Sequence, residues 1–140
     1  MMTARQYLLQ IRKLNYSLYV LGEEIELRRA KLTSTSAPIG GERVQSSPDD
    51  KFATMIAALA DKELQQAEQV IIYQALRDRI VDQILDIDNE LQQKVLYERY
   101  VNMLDWRTIA KKLAYSEQYL WRVHGNALSA FAKKYPDSLR

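Results

Sequence analysis

Residues 105–128, which read DWRTIAKKLAYSEQYLWRVHGNAL, have the spacing of small, apolar and polar residues that a helix-turn-helix requires. Ile109 and Leu113 lie four residues apart, on one face of a first short helix. Ala110 is small enough for a second helix to cross closely over it. The turn is expected at residues 114–116. The segment therefore predicts two short helices that share one core.

Both predicted helices follow a residue that can cap them. Asp105 and Ser116 each precede a helical pattern, and a side-chain oxygen there can accept from the unpaired N–H groups of the first turn. The inward-facing residues of the second helix follow at three- and four-residue spacing: Leu120, Val123, Ala127 and Phe131. The other face of this helix is left to polar and aromatic residues.

The outer face of the second helix suits base recognition. Its residues are Glu117, Gln118, Trp121 and Arg122. Arginine can donate two hydrogen bonds to guanine, glutamine can donate and accept at adenine, and glutamate can accept from cytosine. We therefore predict that these four residues contact base edges in the major groove of double-stranded DNA. The pattern leaves open a helix pair that only stabilises a bundle.

Basic and hydroxyl-bearing residues surround this face. The predicted contacts to the DNA backbone are Arg107, Lys111, Lys112, Ser116, Tyr119, Lys133 and Lys134. Residues 106–140 hold seven Lys or Arg and two acidic residues, a net charge of +5, so the rest of the chain carries −3 of the total of +2. This asymmetry favours a basic, nucleic-acid-binding end of the chain.

The segment 95–128 resembles the promoter-reading C-terminal region (region 4) of bacterial sigma factors of the major class. The matching positions, in order, are Leu96, Arg99, Tyr100, Ile109, Ala110, Leu113, Ser116, Leu120, Arg122, Ala127 and Leu128. Ala114 stands where that family often has glycine. By position, the resemblance assigns the base contacts to the same outer-face residues as the chemistry does.

The layout of the whole chain is similar to that of small prophage transcription regulators of the ArpU and RinA kind. These proteins join a helical N-terminal part to a sigma-like C-terminal helix-turn-helix, and residues 96–128 carry the likeness here. The resemblance implies a phage-encoded regulator of late or packaging-region genes that acts through host RNA polymerase. We keep two alternatives: a DNA-recognition subunit of phage DNA packaging, similar to a small terminase, and a helical protein–protein adaptor.

Two heptad-like seams predict an N-terminal helical hairpin. The first, in a helix from about Thr3 to Leu32, consists of Tyr7, Ile11, Leu14, Leu18, Leu21, Ile25 and Leu32, with Arg28 as a polar interruption. The second consists of Phe52, Ile56, Leu59, Val70, Tyr73, Ile80, Ile84 and Ile87, with Glu63, Gln66 and Arg77 as interruptions. Residues 33–49, rich in Gly, Pro and Ser, predict a mobile loop, with the next helix starting near Pro48.

The predicted organisation is all-α, with two domains. Residues 1–88 form the antiparallel, coiled-coil-like hairpin, which is expected to oligomerise or bind a partner. Residues 89–140 form the helix-turn-helix domain. Because the two seams differ in length, apolar surface is expected to remain unmatched, and a homo-oligomer is predicted, with a dimer favoured over a monomer.

Composition narrows the class of protein. The chain of 140 residues has no Cys, so disulfides and thiolate metal sites are excluded. No run reaches the ~20 apolar residues of a membrane span, and the first residues lack the pattern of a signal peptide, so we expect a cytoplasmic protein of a bacterial host cell, with no membrane partner. Phosphate-binding glycine loops and nucleophile motifs are missing. We expect no enzymatic activity, cofactor or metal site.

Other residues allow more than one interpretation. Asp78, Asp82, Asp86 and Glu90 recur every four positions, which predicts one acidic helix face. A solvated face is the favoured interpretation, with a contact surface for a basic partner left open. His124, the one histidine, is equally compatible with a DNA contact and with packing near Leu128. Trp106 is expected to anchor the core, as are Tyr7, Tyr73 and Tyr100.

Overall fold

The structure, a computed structural model, describes residues 1–35 and 48–140, except for the side chains of Thr35 and Pro48. The described residues are all-α, as predicted, and none of them lies in a strand. The elements are α1 (Ala4–Leu8), α2 (Gln10–Thr35), α3 (Pro48–Leu85), α4 (Glu90–Leu96), a π-helical turn (Tyr97–Val101), α5 (Trp106–Leu113), α6 (Glu117–Lys134) and a 3₁₀ turn (Pro136–Leu139).

The two long helices extend into the predicted loop 33–49 from both sides. Residues 33–35 still belong to α2, and α3 begins at Pro48, the predicted start. Proline suits a first helical position because its missing N–H needs no partner there and its φ angle is already helical. Residues 36–47, and with them the predicted mobility of the loop, lie outside the described residues.

The chain divides into two compact units. Met1–Asn15 and Tyr73–Arg140 form one, here called the terminal unit, and Tyr16–Ile72 form the other, the middle unit. This division does not follow the boundary predicted at residue 88, because residues 1–15 and 73–88 pack with the C-terminal helices. The separate roles assigned to residues 1–88 and 89–140 stay a prediction.

The first helix begins with a reciprocal cap. Thr3 Oγ1 accepts from the Gln6 N–H at 3.1 Å, and Gln6 Oε1 accepts from the Thr3 N–H at 2.9 Å. The single helix predicted from Thr3 is interrupted once, at Leu9, where φ is −68° and ψ is −11°. The Leu9 N–H still donates to the Arg5 carbonyl, and the Leu9 carbonyl accepts from the Lys13 N–H, so the interruption is local.

The core of the terminal unit joins both ends of the chain. Its fully buried side chains include Leu8, Ile11, Ile80, Ile84, Leu96 and Phe131. Tyr7 Oη donates to Gln83 Oε1 at 2.8 Å, and Gln83 Nε2 donates to Ser138 Oγ at 2.9 Å. The Met2 N–H also bonds the Leu139 carbonyl at 2.8 Å. α1 with the residues before it, and the end of α3, are therefore held by residues of the C-terminal region.

The middle unit contains α2 from Tyr16 and α3 up to Ile72. Leu21 and Ile25 of the first predicted seam are buried. Arg29 Nη2 forms an ion pair with Glu63 Oε2 at 2.7 Å. The second seam needs one correction, because Ile56 is 46% exposed and Met55 lies half-buried instead. Steps of three, four and three residues from position 52 lead to 55, 59 and 62, so the seam passes beside residue 56. The complete hairpin stays a prediction.

Candidate nucleic-acid interface

The α5–α6 segment of the terminal unit has the two caps that its sequence predicted. Asp105 Oδ1 accepts from the Thr108 N–H at 2.8 Å, and Ser116 Oγ accepts from the Tyr119 N–H at 3.1 Å. The Thr108 side chain, and then the Thr108 N–H, hold the pKa of the Asp105 carboxyl below its usual value, because hydrogen bonds to the carboxylate stabilise its charged form. Each helix therefore starts where a side chain satisfies an otherwise unpaired backbone donor.

The turn between the two helices depends on one left-handed residue. Ala114 has φ 63° and ψ 45°, and its N–H bonds the Ala110 carbonyl. The Tyr115 N–H bonds the same carbonyl at 3.2 Å. A side chain with a Cβ is unfavourable in this conformation, whereas glycine adopts it freely. This backbone requirement explains why glycine suits the position in a turn of this type.

The two helices share a small core, as expected. Its buried residues are Val95, Ile109, Leu120 and Val123, and Leu91, Leu104, Trp106, Ala110 and Leu113 pack against it. Farther along α6, Ala127 and Phe131 are completely buried in the larger core of the terminal unit. All four predicted inward positions of α6 are therefore confirmed as buried. The helix is fixed along this face from its second turn to its last.

The four predicted base-reading residues are all exposed on α6. Glu117 and Gln118 open the first turn, and Trp121 and Arg122 follow one turn later. Trp121 is 54% exposed, which is unusual for a large aromatic side chain. We call these four residues the recognition face. The structure brings them together on the side of α6 that no other part of the terminal unit covers.

The predicted backbone-contacting residues fall into two groups. All seven are exposed, but two of the lysines are in ion pairs within the chain. Lys134 Nζ lies 3.3 Å from Asp86 Oδ2 and also donates to the Asp86 carbonyl. Lys112 pairs with Glu98, whose side chain is almost completely buried. A phosphate contact by either lysine would therefore compete with an existing partner.

Glu98 is the buried charge that the sequence analysis missed. It lies in the π-helical turn, is 5% exposed, and accepts a hydrogen bond from Asn102 Nδ2 through Oε1. Its Oε2 has the ion pair with Lys112 but no well-directed hydrogen bond. A buried carboxylate without its cation is costly. Lys112 therefore stabilises the fold, whatever its role towards a ligand.

A polar and aromatic cluster lies beneath α6. Tyr100 Oη and His124 Nε2 are 2.6 Å apart, and the rings of His124 and Trp106 lie at an interplanar angle of 73° with their centroids 4.8 Å apart. The Arg99 guanidinium carbon lies 5.0 Å from the centre of the Trp106 ring. Burial, and then the charges of Arg5 and Arg99, lower the pKa of His124 to about 4. His124 is thus a neutral packing residue at pH 7, and Trp106 anchors the core edge as predicted.

The predicted acidic helix face is wrong. α3 ends at Leu85, so Asp86 and Glu90 do not lie on the same helix as Asp78 and Asp82. The last turn tightens, with Ile87 bonding the Ile84 carbonyl, and Asn89 then caps α4 by accepting from the Gln92 N–H at 2.9 Å.

Asp86 instead belongs to a contact with the end of α6. Its Oδ2 accepts from Tyr135 Oη at 2.8 Å, beside the ion pair with Lys134. The hydrogen bond from Tyr135, and then Lys134, hold the pKa of Asp86 below its usual value. Burial, and then Asp86, raise the pKa of Tyr135 to about 12. This carboxylate is engaged within the terminal unit.

A separate apolar surface lies on α3 in the middle unit. Its residues recur at three- and four-residue spacing, are all exposed, and are Ala57, Ala60, Leu64, Ala67 and Ile71. Leu64 is 62% and Ile71 68% exposed. Asp61 and Glu68 lie along one edge. We call this set the outer stripe of α3; it lies on the other side of the helix from the half-buried seam.

No protein-family model, curated protein or solved structure matches this chain. Within the described parts of the chain, no helix is long and apolar enough to cross a membrane. The case for a nucleic-acid interface therefore comes from the residues of the terminal unit themselves.

Proposed function

We propose that this protein is a sequence-specific, double-stranded DNA-binding transcription regulator. α6 would lie in the major groove with its recognition face towards the base edges. The observation that carries this proposal is the exposure of Glu117, Gln118, Trp121 and Arg122 on a helix whose opposite face is buried. These residue types have the donors, acceptors and apolar surface that base recognition uses.

The distribution of charge supports contact with DNA. The segment from Trp106 carries a net charge of +5, and Arg107, Lys111 and Lys133 are exposed within it. Exposed basic side chains attract phosphates and contribute affinity that does not depend on sequence. Lys112 and Lys134 contribute less in this proposal, because each already has a carboxylate partner.

The biological setting of the proposal rests on the sequence resemblance. The likeness of residues 96–128 to regulators of the ArpU and RinA kind supports a phage- or prophage-encoded protein that acts in the cytoplasm of a bacterial host. Its targets would be late or packaging-region genes, and host RNA polymerase would be a second partner.

A homo-oligomer is part of the proposal. The outer stripe of α3 exposes Leu64 and Ile71 on a surface with the spacing of a helix–helix seam. Contiguous apolar patches of this kind mark interaction sites on soluble proteins. A second copy of the chain seated there would place two recognition faces in one assembly. A ring of many copies would favour the packaging-subunit alternative, so the particle mass separates the two functions.

The test is selection of bound fragments from a random duplex library near ~150 mM salt, where weak non-specific binding is suppressed. The intact protein and Arg122→Ala are compared in parallel. Enrichment of one motif by the intact protein, and its loss in the variant, is the expected result. Equal enrichment by both proteins would show that Arg122 does not contribute to sequence recognition. No enrichment by either would overturn the proposed function and favour the adaptor alternative.

A further inference from the structure

Gly125 occupies an unfavourable position in α6. It is the ninth residue of an 18-residue helix, far from either cap. Glycine in a helix interior destabilises the helix relative to alanine, because its backbone loses more conformational freedom. Where a structure requires glycine, the residue serves a tight turn or the close approach of another group.

Nothing within the terminal unit explains this glycine. Its backbone is helical, and a Cβ built at Gly125 would meet no atom within 4 Å. The residue is exposed, like its neighbour Asn126. Alanine would therefore fit without strain and would favour the helix. Packing and backbone conformation within the terminal unit therefore give no reason for the glycine.

The position of Gly125 connects it with the recognition face. It follows Gln118 by seven residues and Arg122 by three, so the three residues lie along one line of α6. Leu120, Val123, Ala127 and Phe131 lie on the opposite side and are buried. At 1.5 Å of rise per residue, Gly125 lies only about 4.5 Å further along the axis than Arg122.

We propose that Gly125 is the point of closest approach between α6 and double-stranded DNA. This inference rests on the proposed function and deepens it. A helix with its side chains is about 10–12 Å wide, nearly the ~12 Å width of the major groove, so one missing side chain changes how deeply the helix lies. The absence of a Cβ at residue 125 lets Arg122 and Gln118 reach the bases; a side chain there holds the helix away from them.

The test compares Gly125→Ala and Gly125→Leu with Gly22→Ala as the matched control. Gly22 is also inside a long helix, in the middle unit, and its added Cβ would meet only Gln66 Nε2 at 3.8 Å, an ordinary contact. Thermal unfolding of the full-length variants is measured beside their affinity for the duplex enriched by the intact protein, or for a mixed-sequence duplex at low salt if no motif is enriched.

Both alanine variants are expected to melt a few degrees higher than the intact protein, since both gain helix propensity. Gly125→Ala alone is expected to bind DNA roughly tenfold more weakly, an effect similar to losing one base contact, and Gly125→Leu more weakly still. Unchanged affinity of both Gly125 variants would overturn the inference, and the proposed function would still stand if the intact protein enriched one motif. An intact protein that binds no duplex under either condition would overturn both. Changed self-association with unchanged DNA affinity would assign the glycine to a protein contact instead.

Discussion

Tyr100 Oη lies 2.6 Å from His124 Nε2, which links the turn before α5 to the middle of α6 across 24 residues of sequence. Nε2 of a neutral imidazole can accept from the phenol when the proton is on Nδ1. When Nε2 carries the proton, it donates to Tyr100 Oη instead, so the contact forms with either charge state of the ring. Burial is what favours neutral His124 in the folded protein, because a charged ring there would be poorly solvated.

Acid is expected to destabilise the protein through His124. The pKa of about 4 in the folded state lies below the ordinary value of 6.5, so the unfolded chain binds a proton first as the pH falls. This contribution to stability is complete above about pH 6.5 and is lost between pH 6.5 and 4, on the order of 2 to 3 kcal/mol. Urea unfolding of the intact protein and His124→Gln at several pH values checks it.

The same histidine gives a direct readout, because the chain contains only one. Its single set of imidazole NMR signals, followed over pH, is expected to titrate well below 6. Titration near 6.5 would contradict both the buried environment and the predicted pH dependence. His124→Gln keeps a possible acceptor for Tyr100 and should flatten the stability profile between pH 6.5 and 4.

Ala114→Gly is expected to stabilise the protein by about 0.5–1 kcal/mol. Residue 114 has a left-handed backbone, in which a Cβ is unfavourable, and glycine has no Cβ. Ala30→Gly is the matched control. Ala30 is an exposed residue inside α2, outside the outer stripe of α3, so the same substitution there should destabilise by about 1 kcal/mol. Chemical unfolding of both variants gives the two values. Destabilisation by Ala114→Gly would show that residue 114 is not left-handed in solution.

Substitutions of two adjacent lysines are expected to have different effects, one on stability and the other on DNA affinity. Lys112→Ala leaves the buried Glu98 without its cation and should lower the free energy of unfolding by roughly 1 to 3 kcal/mol. Lys111→Ala removes an exposed charge, so it should hardly change stability but should weaken binding to all duplexes and lower the salt slope by about 1. Unfolding and salt-dependent binding are measured on both variants. Equal stability of the two would contradict the role assigned to Lys112.

Charged residues in the outer stripe of α3 are expected to prevent self-association. Leu64→Glu and Ile71→Glu would each place a carboxylate in an exposed apolar seam beside Asp61 and Glu68, without disturbing a buried side chain. Sedimentation equilibrium should show a smaller particle than the intact protein forms. Helix content, followed by circular dichroism, should stay the same. Added salt should strengthen the intact assembly by screening the acidic edge. An intact protein that is already monomeric would contradict the predicted homo-oligomer.

Much of the local structure was predictable from the sequence. Asp105 and Ser116 cap the helices that their positions indicated, and the buried face of α6 follows from three- and four-residue spacing alone. The four-residue spacing wrongly predicted that Asp86 and Glu90 share a helix face with Asp78, because spacing alone does not show that α3 ends at Leu85. The same kind of spacing wrongly assigned Ile56 to the second seam, whereas Met55 is the half-buried residue at that point. In both cases the error came from extending a period across a position where the register or the helix changes.

Sequence by itself determined the helices, their caps and which side of α6 is apolar, because these depend on residues within one or two turns of each other. Tertiary structure alone decided which charges are already paired and which aromatic residues hold α6 in place. Lys134 meets Asp86 across 48 residues, and His124 meets Tyr100 across 24. Such contacts have no local period, since they arise only when separate helices pack against one core.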